Sequence, residues 1–248
     1  MKHRKTNIQL LLNAYKDYYK IISGGIDGYY EKTILEADCY EVIDINKIAY
    51  FTVHKARGLT SLLVLESTIY EDIFDYVIAL PFVTRILFTG KDELFMNNVK
   101  RHNLPIELQA INFESNIAIN SNFKMIETKE NDISNIYHQF QEFIDYNQLN
   151  LNEIKSFYFM ENNEIICFGA LEPMTLNPKR FCISMIVNET YRRKGYGKET
   201  VKFLINHLQK ASLEVNARCY IKNEASKHIL LASGLEISNY LYKVENMN

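Results

Sequence analysis

Two glycines and a run of cations share one short stretch: Arg192, Arg193, Lys194, Gly195, Tyr196, Gly197 and Lys198. Glycine lets the backbone take positive φ and lets a ligand approach it closely. Arginine and lysine supply charge-assisted hydrogen bonds to phosphate oxygens. The chemistry this points to is the holding of an anionic phosphate group. Two common phosphate motifs do not fit. A dinucleotide fingerprint needs a third glycine, and a triphosphate loop ends Gly-Lys-Ser/Thr, whereas Glu199 follows Gly197-Lys198 here. Gly197 is expected to be the position where a Cβ would push into the bound phosphates.

The elements that must position this stretch are legible on both sides. The run Phe181 to Val187 reads as a strand, and Val201, Leu204, Ile205 and Leu208 recur at helical spacing. Strand, tight turn and helix N-terminus place unpaired backbone N–H groups and the positive end of a helix dipole beside the cations. Downstream, Leu213 to Ile221 reads as a strand, Ala225 to Ala232 as a helix stopped by Gly234, and Tyr240 to Val244 as the strand closing the sheet of the second half.

Arg192-x-x-Gly195-x-Gly197, preceded by Val187 and Tyr191 and followed by Asn223-Glu224-Ala225-Ser226 and Ser233-Gly234-Leu235, resembles the acyl-CoA pyrophosphate loop and next strand–helix unit of the GNAT superfamily of N-acetyltransferases. The resemblance covers roughly 123–244. Leu235 stands where the family has an aromatic residue. The resemblance implies acetyl-CoA (coenzyme A) as cofactor and an amine as acceptor. It implies that Arg192, Arg193, Lys194, Gly195, Tyr196, Gly197 and Lys198 hold the pyrophosphate. It also implies backbone contacts from Ile186 and Val187, with Asn223 and Ser226 bonding the pantetheine or capping their helix.

Acyl transfer to an amine needs a proton acceptor and stabilisation of an oxyanion. The family often carries a carboxylate on the strand before the loop, but Phe181 to Val187 has none. Its polar side chains are Cys182 and Ser184, on one face of the strand. Glu172 is therefore the preferred base and Ser184 the residue that could order a water. A nucleophilic Cys182 is disfavoured, since no histidine lies near it in sequence. The resemblance places a tyrosine, the general acid for the leaving thiolate, where this chain has Leu230, so another group such as His228 would have to substitute.

The chain has 248 residues, a formal charge of −2 and four cysteines, none closely paired. This argues for reduced thiols in a cytoplasmic protein, with no metal site, no nucleic-acid partner and no membrane span. The expected fold is α/β, a mixed α+β sheet. A smaller N-terminal α/β domain would span 1–121 and a GNAT-like domain 122–248, with the boundary near Ser121. In the first half, Asn7 to Ile22 reads as a helix stopped by Ser23-Gly24-Gly25. Three strands follow, with turns at Asp44-Ile45-Asn46 and Lys55-Ala56-Arg57-Gly58, and Asp92 caps a helix Glu93 to His102. This order echoes the second half, like a worn copy without its phosphate loop. Asp132 or Ser134 is expected to cap the helix through Ile136 and Phe140. The expected function is transfer of an acetyl group from acetyl-CoA to a small-molecule amine by direct attack in a ternary complex, with a homodimer allowed. The alternative left open is a catalytically inactive acyl-CoA-binding or regulatory protein.

Overall fold

The computed structural model of the chain describes residues 1–22, 26–44, 47–245 and 247. The helix stop expected at Ser23-Gly24-Gly25, and Ile45-Asn46 of the turn expected at Asp44-Ile45-Asn46, lie outside the described residues. In chain order the first elements are β1 (Lys2–Thr6), α1 (Leu12–Ile21), α2 (Gly28–Leu35), β2 (Asp38–Asp44), β3 (Lys47–His54), β4 (Gly58–Val64), α3 (Tyr70–Ile78), β5 (Ile86–Thr89), α4 (Glu93–Arg101) and β6 (Ile106–Glu114). Then come β7 (Ile126–Glu127), α5 (Glu130–Asn147), β8 (Lys155–Glu161), β9 (Glu164–Pro173), β10 (Arg180–Val187), α6 (Tyr196–Lys210), β11 (Glu214–Tyr220), α7 (Glu224–Ala232) and β12 (Glu236–Val244). Among the described residues no helix is long and apolar enough to cross a membrane.

The chain packs as two units, Met1–Asn112 with Ser238–Asn248, and Phe113–Ile237. This differs from the expected division at 1–121 and 122–248 in two places: the boundary expected near Ser121 falls after Asn112, and Ser238–Asn248 packs with the first unit. Tyr240 to Val244 is a strand, as its alternation requires, but it does not close the second sheet. It pairs antiparallel with β5, Leu241 opposite Thr89 and Val244 opposite Ile86. Val244 is fully buried in the first core, with Phe51, Leu62, Phe74, Phe88 and Phe95. Burial of that apolar end decides the partner, which alternation alone cannot do.

In the first unit the strands lie in the order β1-β2-β3-β4-β5-β12-β6. The basic N-terminus, not foreseen as a strand, forms β1 along β2, with Arg4 salt-bridged to Glu41. Lys55 to Gly58 is the turn of the β3–β4 hairpin, as its glycine suggests. Asp92 caps α4, its Oδ1 accepting from the Phe95 N–H at 3.0 Å. Phe74 of α3 and Phe95 of α4 meet edge to face on one side of this sheet. On the other side, Tyr15 of α1 and Tyr30 of α2 reach Ser61 and Thr60 of β4.

In the second unit the order is β11-β10-β9-β8-β7. Val201, Leu204, Ile205 and Leu208 of α6 are buried, as the periodicity predicts. A Cβ at Gly169 of β9 would come within 2.9 Å of Leu204, so the absence of a side chain there lets α6 lie close. The opposite face carries Ile136, Phe140 and Ile144 of α5 against Tyr158, Phe168 and Ala170. The cap of α5 is corrected. Its N-cap is Lys129, and Asp132 sits at the third helical position, its Oδ2 accepting the Lys129 N–H at 2.9 Å. Asp132 thus acts in the reciprocal half of a capping box.

Candidate functional site

The turn after β10 is built from two left-handed residues. Arg193 has φ 64° and Gly195 φ 90°. Arg192 N–H still donates to Glu189 O, and the next bond in this stretch runs from Glu199 N–H to Gly195 O. Between them, among the described residues, the N–H groups of Arg193 to Lys198 have no backbone acceptor. Such a sequence of amides forms an anion-binding nest at the start of α6. A Cβ at Gly195 would meet nothing within 4 Å, so the space before the nest is open.

The side chains divide into those that brace the turn and those that face solvent. Asn188 caps the turn through Thr190 N–H at 3.2 Å. Arg192 Nε donates to Val187 O at 3.3 Å, and its guanidinium bridges to Glu189 at 3.0 Å. Arg192 therefore ties the turn to the end of β10. Lys194 Nζ lies 4.8 Å from the centre of the Tyr191 ring, and Tyr196 OH donates to Glu161 at 3.3 Å. Arg193 and Lys194 are exposed and Lys198 half-buried. Their charge surrounds the amides.

Gly197 does not face the open side. A Cβ there would meet Ile229 Cδ1 at 3.0 Å, Met185 Cε at 3.4 Å and Val187 Cγ2 at 3.5 Å. The expectation that Gly197 clears space for phosphates is corrected. It clears space for α7 to pack under β10, and Gly195 is the residue whose backbone the turn requires.

A second feature lies along β10. Against β9 it pairs from Phe181 to Val187 without interruption. Against β11 it pairs, among the described residues, at Arg180↔Glu214, Phe181↔Val215 and Cys182↔Asn216. From Ile183 onward the two parallel strands part. Asn188 N–H donates to Ile166 O at 2.9 Å, which fixes the phase of the β9 ladder. By alternation Ile186 and Ser184 bond towards β9, while Ile183, Met185 and Val187 turn their N–H and C=O groups to the parted edge. Of the two backbone contacts expected, Val187 lies on that edge and Ile186 does not. The Ile186 side chain packs in the α5 cluster. Val187 O is taken by Arg192, and by the same alternation the backbone N–H and C=O of Met185, which sequence reading did not single out, turn to that edge.

Side chains hold the paired end shut. Arg180 reaches Glu114 at 2.8 Å and Glu214 at 3.2 Å. Cys182 Sγ donates to Asn216 Oδ1 at 3.4 Å, and Asn216 Nδ2 donates to Phe113 O at 3.5 Å. Register places Glu172 opposite Cys182, and Ser184 opposite Ala170, which in turn faces Ser156. Glu172, Cys182, Asn216, Ser156 and Ser184 thus occupy adjacent rows on one face of the sheet. Glu172 and Ser184 are half-buried. Asn216 escaped sequence reading because nothing local marks it; only strand register puts it where the strands part.

Asn223 caps α7, its Oδ1 accepting the Ser226 N–H at 3.0 Å, which is the capping role expected of the pair. His228 is exposed and bonded to Glu224 O at 2.8 Å. Leu230 is buried, so its side chain serves the core. The equivalent stretch of the first unit differs. After β4 the chain runs Leu65-Glu66-Ser67-Thr68-Ile69, with no glycine and one acid, into α3. At the bulge in β4, Thr60 O accepts from Tyr30 OH at 2.6 Å. Burial raises the Tyr30 phenol well above its usual range and keeps it a neutral donor.

Both units match known families. The family described as Acetyltransferase (GNAT) domain matches residues 7–116, and that described as Acetyltransferase (GNAT) family matches residues 123–234. The chain is similar in structure to a GNAT-family acetyltransferase from Colwellia psychrerythraea, with TM-score 0.85, 12% identity, and 99% of this chain and 100% of that one covered. It is also similar to a GCN5-related N-acetyltransferase from Sphaerobacter thermophilus, with TM-score 0.60, 8% identity and 98% and 95% covered. A tandem GNAT protein from the clavulanic acid biosynthesis pathway aligns with TM-score 0.59, 9% identity and 98% of each chain covered. No curated protein matches. At these identities the structural likenesses show the fold, and the two family matches show the lineage. The chain belongs to the GNAT superfamily of acetyl-CoA-dependent acetyltransferases, as a tandem protein whose N-terminal α/β unit is itself GNAT-like.

Proposed function

We propose that the second unit transfers the acetyl group of acetyl-CoA to the amine of a small molecule by direct attack in a ternary complex. The observation that supports this best is the parted edge Ile183 to Val187, which joins the amide nest of Arg193 to Lys198 to the face carrying Glu172 and Ser184. The N–H groups of Arg193 to Lys198 would seat the pyrophosphate, with Arg193, Lys194 and Lys198 neutralising its charge. Tyr196 supports the first turn of α6 beside them. Arg192 keeps the turn against β10. The free N–H groups of Met185 and Val187 would bond the pantetheine amides and the thioester carbonyl, as an added strand bonds a sheet edge. Asn223 and Ser226 fix the start of α7 on the far side of the gap.

Acetyl-CoA supplies an activated acyl group, and what remains for the protein is proton handling and orientation. Glu172 would accept the proton of the attacking amine, directly or through a water ordered by Ser184. Buried Leu230 offers no proton to the leaving thiolate. Incubation with acetyl-CoA and a panel of small amines, following free thiol, tests this reading. Release of thiol with an amine supports it; tight acetyl-CoA binding with no turnover on any amine contradicts it.

A further inference from the structure

The parted strands form a slot with a blind end, and its length has a consequence for the acyl group. This inference rests on the acyl-CoA reading above. Arg192 ties the nest to Val187, so a phosphate seated on the nest starts beside Val187. From Val187 to Cys182 the strand advances roughly 16 Å at its usual rise. The pantetheine arm has about twelve bonds between phosphate oxygen and sulfur, and an extended chain of that bond count spans about 14 Å. The sulfur therefore arrives about one residue short of Cys182, with room beyond it for about two carbons. There β10 and β11 close again, and the Cys182 thiol is bonded to Asn216 at 3.4 Å. Cys182 is 9% exposed and Asn216 fully buried, and Asn216 is held from behind by Phe113 O. A longer chain would have to break this pair or bend out of the slot.

We propose that the Cys182–Asn216 pair is the end wall of the acyl slot and restricts the enzyme to short acyl groups. The pair acts by position, and Cys182 takes no covalent part. Calorimetric titration of free CoA, acetyl-CoA and octanoyl-CoA into the full chain tests it, with each affinity read relative to free CoA in the same protein. The wild type is expected to bind octanoyl-CoA at least tenfold more weakly than acetyl-CoA. Cys182→Ala should narrow that gap at least threefold, and Cys182→Leu should weaken acetyl-CoA relative to free CoA at least tenfold. Equal affinity of the wild type for acetyl-CoA and octanoyl-CoA would overturn the proposal, as would an unchanged acetyl-CoA to CoA ratio in a folded Cys182→Leu. If either variant fails to fold, the wild-type series decides alone. A chain that binds none of the three rejects the slot itself, and with it the acetyltransferase reading, which is a different result from loss of chain-length selection.

Discussion

Ile229 Cδ1 of α7 lies 3.0 Å from the point where a Cβ on Gly197 of α6 would stand. The two helices and the end of β10 meet at this point, so a side chain at residue 197 is a packing problem. Overpacking a close-fitted site costs roughly 1–3 kcal/mol. Gly197→Val should lower the melting temperature clearly. Gly195→Val faces open space but must hold a positive φ, a strain of about 1–2 kcal/mol that the turn can relieve by changing shape. Gly195→Val should therefore lose acetyl-CoA affinity at nearly wild-type stability. Paired melting curves and titrations check this; equal melting temperatures with the affinity loss at Gly197 would reverse the assignment.

Glu172→Gln keeps the shape of a half-buried side chain and removes its capacity to accept a proton. Turnover should fall by roughly a hundredfold, the usual scale for a general base, with little change in acetyl-CoA affinity. Single-turnover measurements beside calorimetry separate the two. An unchanged rate would remove Glu172 from the chemistry.

Much of the second unit was legible because its signals are local. The apolar face of α6 and the glycines of the turn each announce their element without reference to the rest of the chain. Partnership was not legible. Tyr240 to Val244 reads as a strand in any sheet, and only the burial of Val244 among Phe74, Phe88 and Phe95 shows which one. The start of α2 was missed although Asp27 carries a cap signal, its Oδ1 accepting the Tyr30 N–H at 2.9 Å; Gly28 in the first turn obscured the helix. β1 was missed because it has no apolar residue; its place is set by its backbone ladder along β2 and by His3, which packs edge-on against Tyr40 and Phe51. The row Glu172, Cys182, Asn216 draws on three strands, with Asn216 34 residues beyond Cys182, so it exists only once the register is known.

Asp92 offers a pH test of the first unit. Burial raises its carboxyl from the usual range to about 6, against a cap bond from the Phe95 N–H that lowers it. A carboxyl raised on folding contributes stability that is fully present below its unfolded value near 3.8 and lost as pH rises through about 6. Asp92→Asn retains the cap and cannot ionise. Its stability relative to the wild type should therefore rise between about pH 4 and pH 6.5, by the order of 2 kcal/mol. Denaturant melts across that range check it; a constant difference would show that Asp92 titrates normally.

The two units should differ in cofactor binding. In the first, Tyr30 occupies Thr60 O at the bulge of β4, and the turn after β4 carries Glu66 and no glycine. Calorimetry should give one acetyl-CoA per chain. Two equivalent sites would contradict this.

Amide hydrogen exchange with and without acetyl-CoA tests the central claim most directly, because the claim is about backbone N–H groups. The account predicts that acetyl-CoA protects the amides of Arg193 to Lys198 together with Met185 and Val187, with no new protection in 65–69. Protection confined to the first unit, or bound acetyl-CoA that leaves Arg193 to Lys198 exchanging as before, would contradict it.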